Sequence, residues 1–269
     1  MISKKINKTH SYSSRTRTLK APCEVCSKKP INKKYQIYKL KAGDTHLRKY
    51  LPSSNKLIAS NGSETVILEG LKTNKTIIYF ASNSPYPNFT ANINAFVNAY
   101  DKLQNSGVGK TDNNGNITIK INCPQVYLAE DNQIYSRHIH WIYWNDTKNI
   151  WDTHIYTHQI FCKVDRDFVK KIMKSNTKVL IIDALSPEYY NQKHIKGAIN
   201  IPGNNKLTMK MLLDKLPKNT NSTTPMILYC YSPECNAAEK LWSQLNKFGF
   251  YNTLHYSGGI INWNGEISN

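Results

Sequence analysis

The chain has 269 residues, and its 36 Lys and Arg against 18 Asp and Glu give a formal net charge of +18. This length leaves room for about two domains. No apolar run approaches the ~18 residues of a transmembrane helix, and the N-terminus lacks the apolar core of a signal peptide, so we expect no membrane association. The six cysteines are scattered rather than spaced as a disulfide framework, which favours a cytoplasmic or other reducing compartment.

Positive charge is concentrated in residues 1–60. They carry 15 Lys and Arg against Glu24 and Asp44, a net charge of +13, with few large aliphatic side chains. This composition predicts a basic, flexible and largely irregular arm. The arm is either a solubilising tail or a binding segment for nucleic acid or another polyanion. Within it, Cys23 and Cys26 form a lone CxxC that lacks two of the four ligands of a structural zinc site.

Residues 61–164 contain short apolar runs separated by polar turns such as 112–115 and 145–146. Repeated short strands with polar turns predict an antiparallel β-sandwich. The strand-like runs are residues 65–68, 76–80, 93–100, 117–121, 138–144 and 154–162.

One group of residues in this region contains side chains that commonly bind metal ions. It consists of the hairpin 110–119, Cys123-Pro124, Tyr127 and the strand-like run 138–141. Their order resembles the core of intradiol ring-cleavage dioxygenases, where two His and two Tyr bind ferric iron. Since residues i and i+2 of a strand face the same side, His138 and His140 can reach one metal ion. The resemblance implies Tyr127 as one tyrosine ligand and Tyr100 as the candidate for the other.

Two alternatives remain open for this region. His154 and His158 lie on the next strand-like run, so a His-rich site with zinc in place of ferric iron is one of them. The other is a non-catalytic sandwich, in which His138 and His140 are ordinary strand residues.

The C-terminal region contains the strongest chemical signal. The apolar run 227–229 reads as a buried strand, and 237–248 reads as a helix with apolar residues on one side. The loop between them begins with Cys230 and continues through Tyr231, Ser232, Pro233, Glu234 and Cys235. Backbone N–H groups of a loop that opens a helix favour negative charge, which lowers a thiol pKa and makes Cys230 a candidate nucleophile.

Four ordered blocks around this loop resemble the rhodanese (sulfurtransferase) domain. They are the strand 179–183 ending in Asp183, the segment PEYYNQKHIKGAINIP at 187–202, Tyr229-Cys230 with the following helix, and GGIINW at 258–263. The resemblance implies an α/β domain over 165–269 with a parallel sheet, Asp183 as a supporting residue, and no required cofactor. It also implies that Cys230 carries a persulfide between a sulfur donor and a thiol acceptor.

The loop departs from the family pattern in its charge. Many active members have basic loop residues and an arginine soon after the strand aspartate, whereas this chain has Glu234 in the loop and Ala184-Leu185 after Asp183. Glu234 would repel thiosulfate, which favours transfer between thiols. Cys235 either resolves an oxidised Cys230 as a disulfide or packs as a small apolar residue.

The sequence therefore predicts a multidomain protein with a basic arm, a β-sandwich and a rhodanese-like domain. The favoured function is sulfur transfer or thiol redox chemistry at Cys230. The alternative is a non-enzymatic binding or structural protein associated with nucleic acid, in which both folds are degenerate. This domain combination with an Asn-rich basic arm is similar to proteins of large DNA viruses, which would place it in a virion.

Overall fold

The structure is a computed structural model that describes residues 36–39, 45–83, 94–128 and 133–269. Before residue 160 its elements are β1 (Gln36–Lys39), α1 (Thr45–Tyr50), β2 (Glu64–Leu68), β3 (Thr76–Ala81), β4 (Asn94–Ala95), α2 (Phe96–Tyr100), β5 (Ser106–Lys110), β6 (Ile117–Ile121), β7 (Tyr127–Leu128), β8 (Ile134–Tyr135), β9 (His138–Asn145), β10 (Ile150–Trp151) and β11 (His154–Gln159). After it they are β12 (Lys163–Val164), α3 (Arg166–Lys174), β13 (Leu180–Asp183), α4 (Pro187–Tyr190), β14 (His194–Ile195), β15 (Ile199–Asn200), α5 (Met209–Lys215), β16 (Met226–Tyr229), α6 (Ala237–Lys247), β17 (Thr253–Tyr256), a 3-10 turn (Ile260–Asn262) and β18 (Ile267–Ser268).

The first part of the chain is built on an antiparallel sheet with the strand order β1-β11-β9-β3-β5, and β10 pairs with β9. The side chains of β9 alternate between its two faces. Trp141 and Tyr143 join the apolar cluster that contains the β2–β6 ribbon, while Ile142 and Trp144 join a second cluster on the opposite face. The prediction of antiparallel sheets in this region is confirmed.

One prediction for the first part needs correction. The run 93–100, expected to be a strand, is mostly the helix α2, because the adjacent residues Ala99 and Tyr100 are both buried and this does not fit the alternation of a strand. Within the predicted arm over 1–60, the residues that the structure describes include the strand β1 and the helix α1. Cys23 and Cys26 lie outside the described residues.

The second part contains a five-stranded sheet in the order β12-β17-β16-β13-β15, and all its strand pairs are parallel. The four residues of β16 are all buried, as expected for a central strand of a parallel sheet. Ala238, Leu241 and Leu245 form the buried side of α6 and belong to the same apolar cluster. The predicted parallel sheet is confirmed, and Cys230 directly follows its central strand.

The two parts meet through buried polar contacts around Arg137, whose side chain is only 2% exposed. Its guanidinium donates to the carbonyl oxygen of Thr253 at 3.2 Å, to Asn252 Oδ1 at 2.7 Å and to the carbonyl oxygen of Pro124. Thr253 begins β17, whereas Pro124 lies in the first part. One buried cation therefore satisfies acceptors in both parts.

A disulfide lies at the same junction. Cys123 and Cys162 are bonded, with their Cα atoms 5.7 Å apart, and the Cys162 carbonyl oxygen accepts a hydrogen bond from His255 N–H at 2.8 Å. The prediction that the cysteines form no disulfide framework is wrong for this pair, because distant strand ends bring the two residues together. The cysteines consequently give no support to a reducing compartment.

Across the part of the chain that the structure describes, every helix is too short or too polar to cross a lipid bilayer.

Candidate functional site

Cys230 lies at the carboxyl end of β16, which is where open parallel sheets place reactive groups. The loop that begins with it is held from outside by the 3-10 turn. Ile260 N–H donates to the Cys230 carbonyl oxygen at 2.9 Å, and Ile261 N–H donates to that of Tyr231 at 3.1 Å. Inside the loop, Cys235 N–H donates to the Ser232 carbonyl oxygen at 3.1 Å. These backbone hydrogen bonds fix the conformation of the loop around the Cys230 sulfur.

The loop encloses two thiols rather than one. Cys230 and Cys235 are both free and buried, with exposed fractions of 1% and 7%. The Cys230 Sγ lies 3.0 Å from the Cys235 carbonyl oxygen, and the two side chains are hydrogen-bonded to each other. Backbone N–H groups of Tyr231 and Ala238 point at the Cys230 sulfur, and that of Ala237 points at Cys235. The start of α6 thus supplies donors to both sulfurs.

The hydrogen bond between the two thiols gives the first and the second ionisation of the pair different pKa values. The hydrogen bond from Cys230 lowers the pKa of Cys235 to about 6, while the same hydrogen bond and burial raise the pKa of Cys230. Because the proton between two adjacent sulfurs can move to either, the low value belongs to the first ionisation of the pair. The loop therefore holds one thiolate and one thiol near neutral pH.

The remaining loop residues form its outer surface. Tyr231 and Ser232 are partly buried, whereas Pro233 and Glu234 are exposed. A hydrogen bond from the Ser232 side chain lowers the pKa of Glu234, which is therefore ionised at neutral pH. A negative charge thus lies on the loop that surrounds the two sulfurs.

Asp183 lies at the end of β13, in register with Tyr229 of the neighbouring strand β16. It is completely buried, and its Oδ1 accepts a hydrogen bond from Leu185 N–H at 2.8 Å. Burial raises the pKa of Asp183 to about 6. Its backbone carbonyl oxygen accepts a hydrogen bond from Ile201 N–H at 2.9 Å. Asp183 therefore links the end of β13 to the residue that follows β15.

A second cluster of polar side chains lies inside the first part of the chain. The structure brings together all four residues that the sequence suggested as metal ligands. His138 Nε2 lies 3.2 Å from Tyr100 Oη, 3.1 Å from Tyr127 Oη and 3.0 Å from His140 Nε2, and the two phenol oxygens are 3.5 Å apart. Burial lowers the pKa of His138 to about 4 and raises that of Tyr100.

The outer hydrogen bonds of this cluster orient both imidazoles. His138 Nδ1 lies 2.5 Å from the Ser136 carbonyl oxygen, which can only accept, so this nitrogen carries the proton. His138 Nε2 consequently presents a lone pair to the centre of the cluster. His140 Nδ1 contacts Thr157 Oγ1 at 2.7 Å, which likewise leaves its Nε2 facing inward. Two inward imidazole nitrogens and two phenol oxygens form a donor set that fits a transition-metal ion such as iron or zinc.

The alternative His-rich site does not form. Thr157 of β11 lies opposite His140, whereas His158 lies opposite Ile139, so His158 and His154 belong to the other face of the sheet. That expectation is wrong because neighbouring residues of a strand point to opposite faces. Within the described ranges, no group of three or more His, Cys, Asp or Glu side chains is placed to hold a metal ion. The cluster described above differs because two of its four members are tyrosines.

Sequence reasoning missed the side chains that support both sites. Arg137, Ser136 and Thr157 carry no local signal in the sequence. Gly259 did lie within a recognised motif. Its φ is +65°, and a Cβ there would lie 2.4 Å from the Tyr231 carbonyl oxygen. Only a glycine-specific motif of this kind gives a local signal for such a close approach.

These features define a class for the second part of the chain. Residues 165–266 match the family model of the rhodanese-like domain. This segment is therefore a rhodanese-like domain, which is consistent with sulfurtransferase activity, and domains of this kind generally need no cofactor.

Individual relatives match less than half of the chain. An uncharacterized protein of Buchnera aphidicola subsp. Schizaphis graminum is 31% identical over 106 residues, which are 39% of this chain and 66% of that protein. A solved Bacillus halodurans protein is 30% identical over 40% of this chain and 77% of its own, with a TM-score of 0.35. A rhodanese with anions from E. coli is 23% identical over 34% and 99%, with a TM-score of 0.28. The anaerobic ergothioneine biosynthesis enzyme of Chlorobium limicola is 24% identical over 36% and 24%, with a TM-score of 0.31.

Proposed function

We propose that the rhodanese-like domain transfers sulfane sulfur through a persulfide on Cys230. The observation that carries this proposal is the buried thiol pair at the end of the central parallel strand, with backbone N–H groups directed at both sulfurs. Such donors stabilise a thiolate and also the anionic outer sulfur of a persulfide.

The transfer has two balanced steps. The Cys230 thiolate attacks the outer sulfur of a donor persulfide, a new S–S bond forms, and the donor leaves as a thiolate. An acceptor thiolate then attacks the outer sulfur on Cys230, which returns to its thiolate form. Each step breaks one S–S bond and forms another, so no external oxidant or reductant is needed. A persulfide donor and a thiol acceptor suit a loop that already carries the negative charge of Glu234 better than the dianion thiosulfate does.

Mass spectrometry of the intact protein tests this proposal. A short exposure to an inorganic polysulfide should add about 32 Da per sulfur atom, and a reductant should remove the added mass. Cys230→Ser should abolish the gain. The double variant Cys123→Ser/Cys162→Ser is the matched control, since it removes the two disulfide-bonded cysteines and should still take up sulfur.

Two results would contradict sulfur transfer. One is an unchanged mass gain in Cys230→Ser. The other is no gain in either the wild type or Cys235→Ser under conditions where a low-molecular-weight thiol is persulfurated. The second result would favour the non-enzymatic alternative, in which the domain serves as a binding module.

We propose as a second function that the first part of the chain binds one metal ion, either ferric iron or zinc. The convergence of Tyr100, Tyr127, His138 and His140, with both inner imidazole nitrogens facing the phenol oxygens, supports this proposal. When bound, ferric iron would supply Lewis-acid and redox chemistry and a visible tyrosinate charge-transfer band. Ser136 and Thr157 hold the two imidazoles in place.

Metal analysis and visible absorption on the same sample test the metal site. After incubation with ferric iron or zinc and desalting, the wild type should retain about one ion per chain, and iron should colour it. His140→Ala should lose the ion and the colour. His154→Ala, on the opposite face of the sheet, is the control and should retain both. Equal retention in the two variants, or none in the wild type, would remove the site.

A further inference from the structure

Cys235 has no role in the transfer described above, although it is the side chain that touches the reactive sulfur. Its thiol is buried against Cys230, hydrogen-bonded to it, and supplied with its own backbone donors from Tyr231, Ser232 and Ala237. The Cys230 Sγ lies 3.0 Å from the Cys235 carbonyl oxygen, so the two residues are in direct contact across the loop. A residue that served only to pack the loop would need no hydrogen-bond donors at its side chain, whereas the Cys235 sulfur has three.

We infer that Cys235 resolves the Cys230 persulfide, closing a Cys230–Cys235 disulfide and releasing hydrosulfide. This inference rests on the proposed function. The Cys235 thiolate attacks the Cys230 Sγ of the protonated persulfide, the bond from that atom to the outer sulfur breaks, and the outer sulfur leaves with the electron pair and its proton as HS⁻. The two cysteines are oxidised to a disulfide while the sulfane sulfur is reduced to sulfide, so atoms and electrons balance.

Proximity gives this step its advantage. A thiolate held beside the inner sulfur reacts at a high effective concentration, whereas a thiol in solution must first enter the loop. Two reactions therefore compete for the outer sulfur on Cys230. An acceptor thiol that arrives first takes it, and otherwise Cys235 expels it as hydrosulfide. The resulting disulfide needs a low-molecular-weight thiol or dithiol as reductant before the next cycle.

Loss of Cys235 tests the inference directly. One equivalent of inorganic polysulfide is added to reduced full-length protein, sulfide is assayed colorimetrically, and the protein is alkylated and digested with trypsin. Peptide 219–240 contains both cysteines and no other, so it reports on this pair alone. In the wild type this peptide should be about 2 Da lighter than the calculated mass of its unalkylated dithiol form, and more sulfide should appear than the polysulfide itself releases when it loads Cys230. In Cys235→Ser, the about 32 Da adduct should persist on Cys230 at least about tenfold longer, with no sulfide beyond that released by the donor.

The outcomes separate this inference from the proposed function. If the wild-type adduct lives as long as that of Cys235→Ser, and no disulfide appears in the peptide, the inference is overturned while sulfur transfer stands. If neither protein takes up sulfur, the proposed function fails and the inference fails with it. Cys235→Ala, checked for native circular dichroism, repeats the test should the Ser variant not fold.

Discussion

At the scale of single residues, the reactivity of the loop depends on which charges surround the Cys230 and Cys235 sulfurs. Backbone donors stabilise one thiolate in the pair, and the internal hydrogen bond lowers the pKa of the first ionisation to about 6. Glu234 is exposed and ionised on the same short loop, so it repels incoming anions. The loop therefore favours a thiolate inside and disfavours a dianion arriving from solvent.

Glu234→Arg should improve the use of thiosulfate as a sulfur donor. Replacing a negative charge by a positive one at the loop makes the local interaction with thiosulfate more favourable, and we expect a roughly fivefold higher rate. The measurement is the rate of the persulfide mass gain with thiosulfate at low salt. Asp146→Arg makes the same charge change on an exposed residue of the first part and should leave the rate unchanged. Wild type that uses thiosulfate as well as Glu234→Arg would contradict the electrostatic explanation.

At the scale of elements, the loop takes its shape from the segments on either side of it. β16 positions Cys230, α6 supplies N–H groups at its start, and the 3-10 turn binds the carbonyl oxygens of Cys230 and Tyr231. The turn can approach this closely only because Gly259 has no side chain. Its φ of +65° and ψ of −180° lie in a region that is essentially restricted to glycine.

Gly259→Ala should therefore distort the loop and reduce sulfur uptake. The new Cβ would press on the Tyr231 carbonyl oxygen, and we expect a loss of roughly 3 kcal/mol in unfolding free energy with slower persulfide formation. Gly249→Ala is the matched control. Gly249 also has a positive φ, but a Cβ there meets nothing within 4 Å. The control should lose about 1 kcal/mol and keep normal uptake. Equal uptake in both variants, measured by intact mass over time, would refute this role of the turn.

At the scale of the whole molecule, one apolar cluster runs from the β2–β6 ribbon into the rhodanese-like domain. Arg137 and the Cys123–Cys162 disulfide lie where these two regions meet. Arg137 also directly precedes His138 in the chain, and its guanidinium reaches the first residue of β17. The thiol loop and the His/Tyr cluster are thus attached to the same packed unit.

Arg137→Ala should destabilise the protein by roughly 3 kcal/mol, because it leaves buried acceptors in both parts without a donor. Denaturant unfolding followed by fluorescence measures this loss. Lys120→Ala removes an exposed positive charge from β6 and should change stability by less than about 0.5 kcal/mol. Similar unfolding midpoints for the two variants would show that the Arg137 contacts contribute nothing to stability.

The sequence by itself determined the features that depend on local pattern. The continuous apolar run before Cys230 and the helical period after it predicted β16, the loop and α6 within a residue or so. The two-residue period of β9 likewise predicted that His138 and His140 share a face. These outcomes are local because strand alternation and helical periodicity follow from backbone geometry alone.

Only the tertiary structure decided which distant residues meet. Tyr100 reaches His138 because α2 replaces the expected strand, and Cys123 finds Cys162 because two strand ends converge. Arg137 bonds to Thr253, more than a hundred positions later in the chain. Such contacts carry no local signature in one sequence, since they form only when packing of the apolar core brings separate strands together.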